Sequence, residues 1–311
     1  MSNHKISFII PALNESGNLP QTINSIKSEI TNTPYEIIVV DNGSTDNTID
    51  IAKNLGALTL ENPEKTIGGL RNLGIKFSSG SLICFIDSDV SIAKGWENEL
   101  HVFLHNLDGV SRFITGSRCE IELENQSFIE KNWFNLLKQG KSEYINSGHM
   151  ITSRETFDII NGFDETLKTG EDYDFCQRGK KSNIPIINNQ GLKAYHRGYP
   201  KTLKDFLLRE AWHGRSDTTT FQAFISSKVA IMSLANAVAL LALILGLLST
   251  QAELVVIGAV GTIAIPSLST AYRFKNLSIM QFLKTAFCFE IYMTGRFFSF
   301  FYNRNRPAAR E

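Results

Sequence analysis

Asp87-Ser88-Asp89 places two carboxylates two residues apart at the end of an apolar run, Leu82–Ile86. Such a hard-oxygen pair suits Mg²⁺ or Mn²⁺, which takes one or two carboxylates and fills its other positions with water and substrate phosphates. A cation held there offsets the negative charge that builds on a diphosphate leaving group. Asp-x-Asp is common in surface loops, so its weight comes from its place after a buried strand. A second acidic stretch, Asp41-Asn42-Gly43-Ser44-Thr45-Asp46, follows the apolar residues 36–40. Its composition makes a turn and a helix cap by Asp46 or Thr45, and it leaves Asp41 to accept a hydrogen bond from a uracil N3–H or a ribose hydroxyl. Gly170-Glu171-Asp172-Tyr173-Asp174 is a third. Carboxylates in a first helical turn complement the helix dipole. One of them can also serve as the general base that takes the proton of an acceptor hydroxyl attacking an anomeric carbon. His196 follows the strand-like residues 191–195 and is either a packed imidazole or a third metal ligand.

These residues need a scaffold that brings them together. Apolar runs at 6–10, 36–40, 57–60 and 81–86 alternate with helical stretches at 19–30, 47–54 and 67–77. Alternation of this kind implies right-handed crossovers and a mainly parallel sheet with helices on both faces, an α/β fold. Continuous apolar strands fit a sheet covered on both sides. Ligands of open parallel sheets bind beyond the carboxyl ends of the strands. Asn14, Glu15, Asp41, Asp87 and Asp89 all fall just after strands, so three strands deliver acidic groups to one edge.

Composition narrows the options. The chain has 311 residues, with Lys+Arg and Asp+Glu both at 31. A net charge of zero argues against a dedicated nucleic-acid binder, which needs excess basic residues. Cys84, Cys119, Cys176 and Cys288 form no Cys-x-x-Cys pair and are expected to be reduced and structural. The first residues run straight into a strand without a signal-peptide pattern.

Beyond about residue 225 the composition turns apolar, which divides the chain into an expected catalytic domain, 1–225, and a membrane anchor, 226–311. Residues 229–248 carry no charge and span about 30 Å as a helix, enough to cross a bilayer core. Residues 254–271 form a second uncharged run, interrupted by Gly258, Gly261 and Pro266. Lys228, Arg273 and Lys275 flank the pair, so the charge rule places the first domain on the cytoplasmic face, as in a bacterial inner membrane. The competing reading is a core hairpin of a soluble protein. Residues 279–302 show Gln281, Lys284, Thr285, Cys288, Tyr292, Gly295, Arg296 and Ser299 on one helical face. Phe282, Ala286, Phe289, Met293, Phe297 and Phe300 lie on the other, interrupted only by Glu290. This pattern predicts an amphipathic helix in the interface plane. A third span would carry Arg304, Arg306 and Arg310 outside, against the charge rule.

Five stretches together resemble the family 2 glycosyltransferases, which have the GT-A fold. They are Ser7-Phe-Ile-Ile-Pro-Ala-Leu-Asn-Glu15, Glu36-Ile-Ile-Val-Val-Asp-Asn-Gly-Ser-Thr-Asp46, Gly69-Leu-Arg-Asn-Leu-Gly74, Phe85-Ile-Asp-Ser-Asp89, and Gly162-Phe-Asp-Glu165 running into Gly170-Glu-Asp-Tyr-Asp174. The resemblance covers residues 5–215. It implies that Pro11, Glu15 and Asp41 line a nucleotide pocket and that Arg71 reaches the base or the diphosphate. It implies that Asp87 touches ribose, that Asp89 and His196 hold Mg²⁺ or Mn²⁺, and that Asp172 is the catalytic base beside Glu171. Leu13 and Leu70 depart from the family pattern, and the Gln-x-x-Arg-Trp motif of processive synthases is absent. Arg209-Glu-Ala-Trp212-His213-Gly occupies a similar region, in a helix that could bear on the acceptor. The expected activity is therefore single-sugar, inverting transfer from a nucleotide-sugar, with UDP favoured on family frequency. The expected acceptor is lipid-linked or a saccharide, met at the membrane lipid surface, in polysaccharide or glycolipid assembly. The alternatives are transfer to polyprenyl phosphate itself and a non-catalytic nucleotide-binding membrane scaffold. A nucleotidyltransferase fits less well, because residues 11–19 hold one Gly and no Lys or Arg. Oligomeric state is not encoded in any of these patterns.

Overall fold

The structure, a computed structural model, describes residues 4–63, 65–121, 126–137, 144–167 and 169–301, with the backbone alone at Ser216. Arg304, Arg306, Arg310 and the last residue of the expected 279–302 helix lie outside the described residues. The chain separates into two compact units, residues 1–122 with 140–198, and residues 123–139 with 199–311. The boundary expected near 225 thus falls inside the second unit.

The first unit is built on a seven-stranded sheet. Its strands are β1 (Ile6–Ala12), β2 (Tyr35–Asp41), β3 (Leu58–Glu61), β4 (Leu82–Ile86), β6 (Ile114–Gly116), β7 (His149–Ser153) and β8 (Ile186–Asn188), with β5 (Val90–Ile92) and β9 (Ala194–His196) forming a separate ribbon. The order is β3-β2-β1-β4-β7-β6-β8. The pairs β1–β2, β1–β4, β2–β3 and β6–β8 are parallel, and β7 runs antiparallel to both neighbours. The helices of this unit are α1 (Leu19–Glu29), α2 (Thr48–Asn54), α3 (Ile67–Lys76) and α4 (Trp96–Asn106), then, beyond the short helix α5 (Asn135–Leu137) of the second unit, α6 (Arg154–Ile160) and α7 (Glu171–Lys181).

Every residue of β1 is buried, and its side chains divide by the two-residue period of a strand. Ile6, Phe8 and Ile10 join Leu19, Ile23 and Trp96 in one core. Ile9 joins Val40, Phe85, Phe157 and Phe175 in the other. Both faces of the sheet are therefore covered, as its continuous apolar strands require. Gly74 lets α3 lie close on this sheet, since a Cβ there would sit 2.6 Å from Ile9 and 3.1 Å from Val40.

One buried histidine stands in the middle of this core. His149 is fully buried, and its Nε2 accepts a 2.9 Å hydrogen bond from the Trp96 indole N–H. Indole is only a donor, so Nε2 carries no proton and the imidazole is neutral; its Nδ1 lies 3.1 Å from Ser117 Oγ. Burial pushes the His149 pKa down to about 4. The unfolded chain binds this proton near pH 6.5, so the stabilisation is complete above that pH and is lost as pH falls towards 4. Linkage makes the loss about 3 kcal/mol across the window. We expect the thermal midpoint of the wild type to fall between pH 6.5 and 4.5, and the difference from His149→Gln, followed by calorimetry, to shrink over the same interval. A difference independent of pH would refute the neutral buried ring.

The second unit is helical. A π-helical turn, Glu130–Phe134, leads into α5, and α8 (Leu203–His213), a 3₁₀ turn (Gly214–Thr218), α9 (Phe221–Ser226), α10 (Lys228–Ser249), α11 (Ala252–Arg273) and α12 (Ile279–Phe298) follow. Helices α10 and α11 have 22 residues each and are long and apolar enough to cross a membrane. They meet through small residues: a Cβ on Gly258 would lie 2.3 Å from the Leu243 backbone nitrogen, and one on Gly246 would lie 2.6 Å from that of Val255. Such approach suits helix pairs in an apolar solvent, where dispersion and close backbone contact hold helices together. Around Trp133, Phe206, Phe274, Phe289 and Tyr292 build an aromatic core.

Helix α12, expected as an amphipathic helix in the interface plane, buries residues of both its faces. Thr285 and Cys288 are fully buried, and Tyr292 and Gly295 are buried with them, although all four lie on the side read as polar. Thr285 Oγ1 donates to the Asn132 carbonyl at 3.2 Å, Arg296 Nε donates to Glu210 Oε2 at 3.0 Å, and a Cβ on Gly295 would meet the Leu207 carbonyl at 2.7 Å. Small and hydrogen-bonding residues allow the helix to pack tightly against α8 and the π turn, while Ile279, Met280, Leu283 and Phe287 are left exposed. Glu290, anomalous in the sequence, accepts from Asn236 Nδ2 at 3.0 Å and so ties α12 to α10.

Candidate active site

The site forms where the strands of the first unit end. After β4 the chain turns tightly over Asp87–Val90, closed by a 3.0 Å bond from the Val90 N–H to the Asp87 carbonyl. Thr22 Oγ1, on α1, donates to the Ser88 carbonyl at 2.7 Å and fixes the turn from below. The next strand, β5, pairs with β9 so that Val90 faces His196. The Arg197 N–H then donates to the Asp89 carbonyl at 2.9 Å. This ribbon brings His196 Nε2 to 3.5 Å from Asp89 Oδ2. His196 is the last residue of β9, where it was expected just beyond a strand.

Asp89 is 3% exposed, and its Oδ1 is buried without a hydrogen-bond partner. A buried carboxylate oxygen left unpaired is costly, and a cation is the partner whose charge removes that cost. Gly198 leaves the space: a Cβ there would lie 1.8 Å from Asp89 Oδ2. Among the described residues no three His, Cys, Asp or Glu side chains converge as a closed metal cage. Two protein ligands with open positions for phosphate oxygens and water are what a hard divalent ion accepts.

Asp87 faces the other way. Its Oδ1 accepts from Arg71 Nη2 at 2.7 Å, and Arg71 Nη1 donates to Glu171 Oε1 at 2.8 Å. Arg71, expected to reach a base or a diphosphate, is 1% exposed and held by both carboxylates. It lies behind the site as a brace between two carboxylates that are far apart in sequence. Glu171 also accepts from Ser147 Oγ at 3.2 Å, and the Ser147 N–H donates to Asp172 Oδ2 at 3.4 Å. The following residue, Gly148, packs against Asp87, since a Cβ there would sit 2.7 Å from Asp87 Oδ2. The loop before β7 thereby connects Asp172 and Glu171 to Asp87, two residues from Asp89.

Asp172 is the second residue of α7, which starts at Glu171 after Gly170, whose φ of 79° suits only glycine without strain. Its Oδ1 accepts from the Tyr173 N–H at 2.7 Å. Burial, with the negative charge of Glu171 beside it, raises its pKa above the ordinary carboxylate value. That is the direction a general base acting near neutrality requires.

The remaining candidates divide. Pro11 is buried in β1 opposite Val40. Glu15 is 3% exposed and accepts from Asn18 Nδ2 at 3.0 Å. Asp41, expected to face a ligand, is fully buried and organises its own loop: Oδ1 accepts from the Gly43 and Ser44 N–H groups and Oδ2 from Ser44 Oγ. Asn14 carries the same loop, accepting from the Thr45 N–H at 2.8 Å. Asp46 receives the Thr48 N–H at 3.0 Å at the start of α2. Trp212 and His213 end α8 in the second unit, where Arg215 stacks over the Trp212 ring at 4.4 Å. Ser147, Gly148, Gly198 and Thr22 had no motif to mark them.

Comparison with known proteins bears on the family and the fold. A family model described as glycosyl transferase family 2 matches residues 7–149. Glycosyltransferase AglE of Haloferax volcanii is 25% identical over 194 residues, 58% of this chain and 63% of that protein. An uncharacterized glycosyltransferase of Rickettsia prowazekii is 36% identical over 106 residues, 33% of this chain and 35% of the other. The chain thus spans less than two thirds of either relative. A mannosyltransferase from Pyrobaculum calidifontis, solved with GDP-Man and Mn²⁺, shares the fold with a TM-score of 0.57 at 16% identity, over 96% of this chain and 88% of that one.

Proposed function

We infer, from residues 7–149 that make this chain a family 2 glycosyltransferase and from its GT-A fold, that it transfers a single sugar from a nucleotide-sugar to an acceptor hydroxyl with inversion. The observation that supports this reading is the linkage of Asp87 to Glu171 through Arg71 and to the Asp172 neighbourhood through Ser147 and Gly148, with Asp89 two residues on in sequence. Asp89 and His196 would hold a divalent cation, which when bound supplies positive charge against the diphosphate. Asp87, fixed by Arg71, is free on Oδ2 to orient the donor ribose. Asp172 takes the acceptor proton as the hydroxyl oxygen forms its bond to the anomeric carbon. The bond from that carbon to the diphosphate oxygen breaks, and its electron pair leaves with the nucleoside diphosphate.

Membrane attachment through α10 and α11 would keep the site near lipid-linked acceptors and raise their effective concentration. Exposed apolar side chains on these helices, Leu247 at 62% and Leu248 at 78% among them, support that reading. The charge rule places the first unit on the cytoplasmic side.

A thermal-shift panel of UDP, GDP, TDP and their sugars, each with and without Mn²⁺, tests the donor site. Ligand at about 100 times its Kd stabilises the native state by about 2.7 kcal/mol. One nucleotide series should raise the midpoint, and more so with Mn²⁺. No shift with any of them removes the nucleotide-sugar reading.

A further inference from the structure

Beside the buried carboxylates of α7 stands an aromatic side chain that remains half exposed. Glu171 and Asp172 are 6% and 7% exposed, yet the next residue, Tyr173, is 51% exposed. Its own N–H is bonded to Asp172. Tyr144, half-buried in the segment that leads to Ser147, meets the Tyr173 ring edge-to-face at 5.6 Å and 87°. Tyr144 lies close enough to Asp172 to feel it: burial and the Asp172 charge together raise its hydroxyl pKa. Two aromatic rings, one fixed against the other, therefore border the proposed base.

A polar helix start exposed to water gains nothing from a phenol ring. An aromatic held open at the rim of a polar site suits a ligand with an apolar face and polar edges. A pyranose ring is such a ligand. Its C–H groups gather on one face and rest on a π surface, while its hydroxyls remain at the edge, where one can reach Asp172. A bare lipid phosphate presents no such face.

We propose that Tyr173, held by Tyr144, is the acceptor platform of this enzyme, so that the sugar is received by a saccharide hydroxyl. This rests on Asp172 being the base, and the two claims separate experimentally. The probes are the methyl glycosides of glucose, galactose, mannose and N-acetylglucosamine, together with a short polyprenyl phosphate. Each is examined by saturation-transfer NMR with the full chain and the nucleoside diphosphate that it binds. At least one glycoside should receive saturation mainly on the C–H groups of one face. That binding should weaken about tenfold in Tyr173→Ala and survive in Tyr173→Phe, with nucleotide affinity unchanged in both. The proposal is overturned if no glycoside binds the wild type, if binding is indifferent to Tyr173→Ala, or if only the polyprenyl phosphate binds. Glycoside binding that depends on Tyr173, in a protein whose turnover ignores Asp172→Asn, would keep the platform and sink the base.

Discussion

Asp172→Asn is expected to lower sugar-transfer turnover about 10³-fold, a typical share for a positioned general base, while nucleotide-sugar binding stays near the wild-type value. Asparagine keeps the shape of the side chain, so Oδ1 still accepts the Tyr173 N–H, but the amide cannot take a proton. The loss should fall on kcat, because the interaction exists only as the proton moves. An acceptor that is already an anion, such as a lipid phosphate, would need little base catalysis and would show almost no loss. The pH profile adds an independent check. Asp172 must be ionised to act, so turnover falls as pH drops through its pKa. Burial and the Glu171 charge hold that pKa up. Glu171→Gln removes the neighbouring charge and also leaves Arg71 with one fewer carboxylate to balance. Both changes favour ionised Asp172, so the acid limb should move to lower pH. A limb that stays in place, or moves up, contradicts the assignment.

The central strands and the carboxylates at their tips were legible because burial imposes a pattern there. A strand covered on both faces must be apolar throughout, so β1, β2 and β4 stand out, and the first polar residue after each marks the sheet edge. The strands β5 to β8 have three to five residues each, too short for periodicity to separate from loop. Yet β7 carries Gly148 to Asp87, and β5 pairs with β9 to set Asp89 beside His196. Arg71 shows a different limit. The resemblance implies a ligand contact for it, but its pairing with Asp87 and Glu171, 16 and 100 residues away in sequence, has no sequence signature, because spacing of that length encodes no distance. At Asp41, expected to point at a ligand, the turn itself supplies three donors to the carboxylate, and the composition of the turn signals that part alone. On α12 residues of both sequence-defined faces are buried, Thr285 and Cys288 with Ala286, Phe289 and Met293, because the helix is packed on more than one side, which a two-face pattern does not encode.

The second large effect concerns Asp89. Asp89→Asn should reduce turnover by about 10² to 10³-fold, the range seen when a group that stabilises transition-state charge is removed, and abolish any additional thermal shift from Mn²⁺. Its effect on the ligand-free protein should have the opposite sign. Asp89 Oδ1 is a buried carboxylate oxygen without a partner, and neutralising such a group relieves a desolvation penalty of about 1 kcal/mol or more. The metal-free variant should therefore melt above the wild type, the usual consequence of removing a group kept for function at the expense of stability. Gly198→Ala reaches the same carboxylate by another route. Its methyl would stand 1.8 Å from Asp89 Oδ2 and 3.1 Å from His196 Cε1, so the carboxylate must move although its charge is kept. This variant should lose activity and the Mn²⁺-dependent shift like Asp89→Asn, but gain no stability, because the charge stays buried. If instead Gly198→Ala retains full Mn²⁺-dependent activity, Asp89 does not hold the cation in the position that the β5–β9 ribbon sets for it. If metal-free Asp89→Asn melts below the wild type, Asp89 is a structural partner of His196, not a ligand kept waiting for charge.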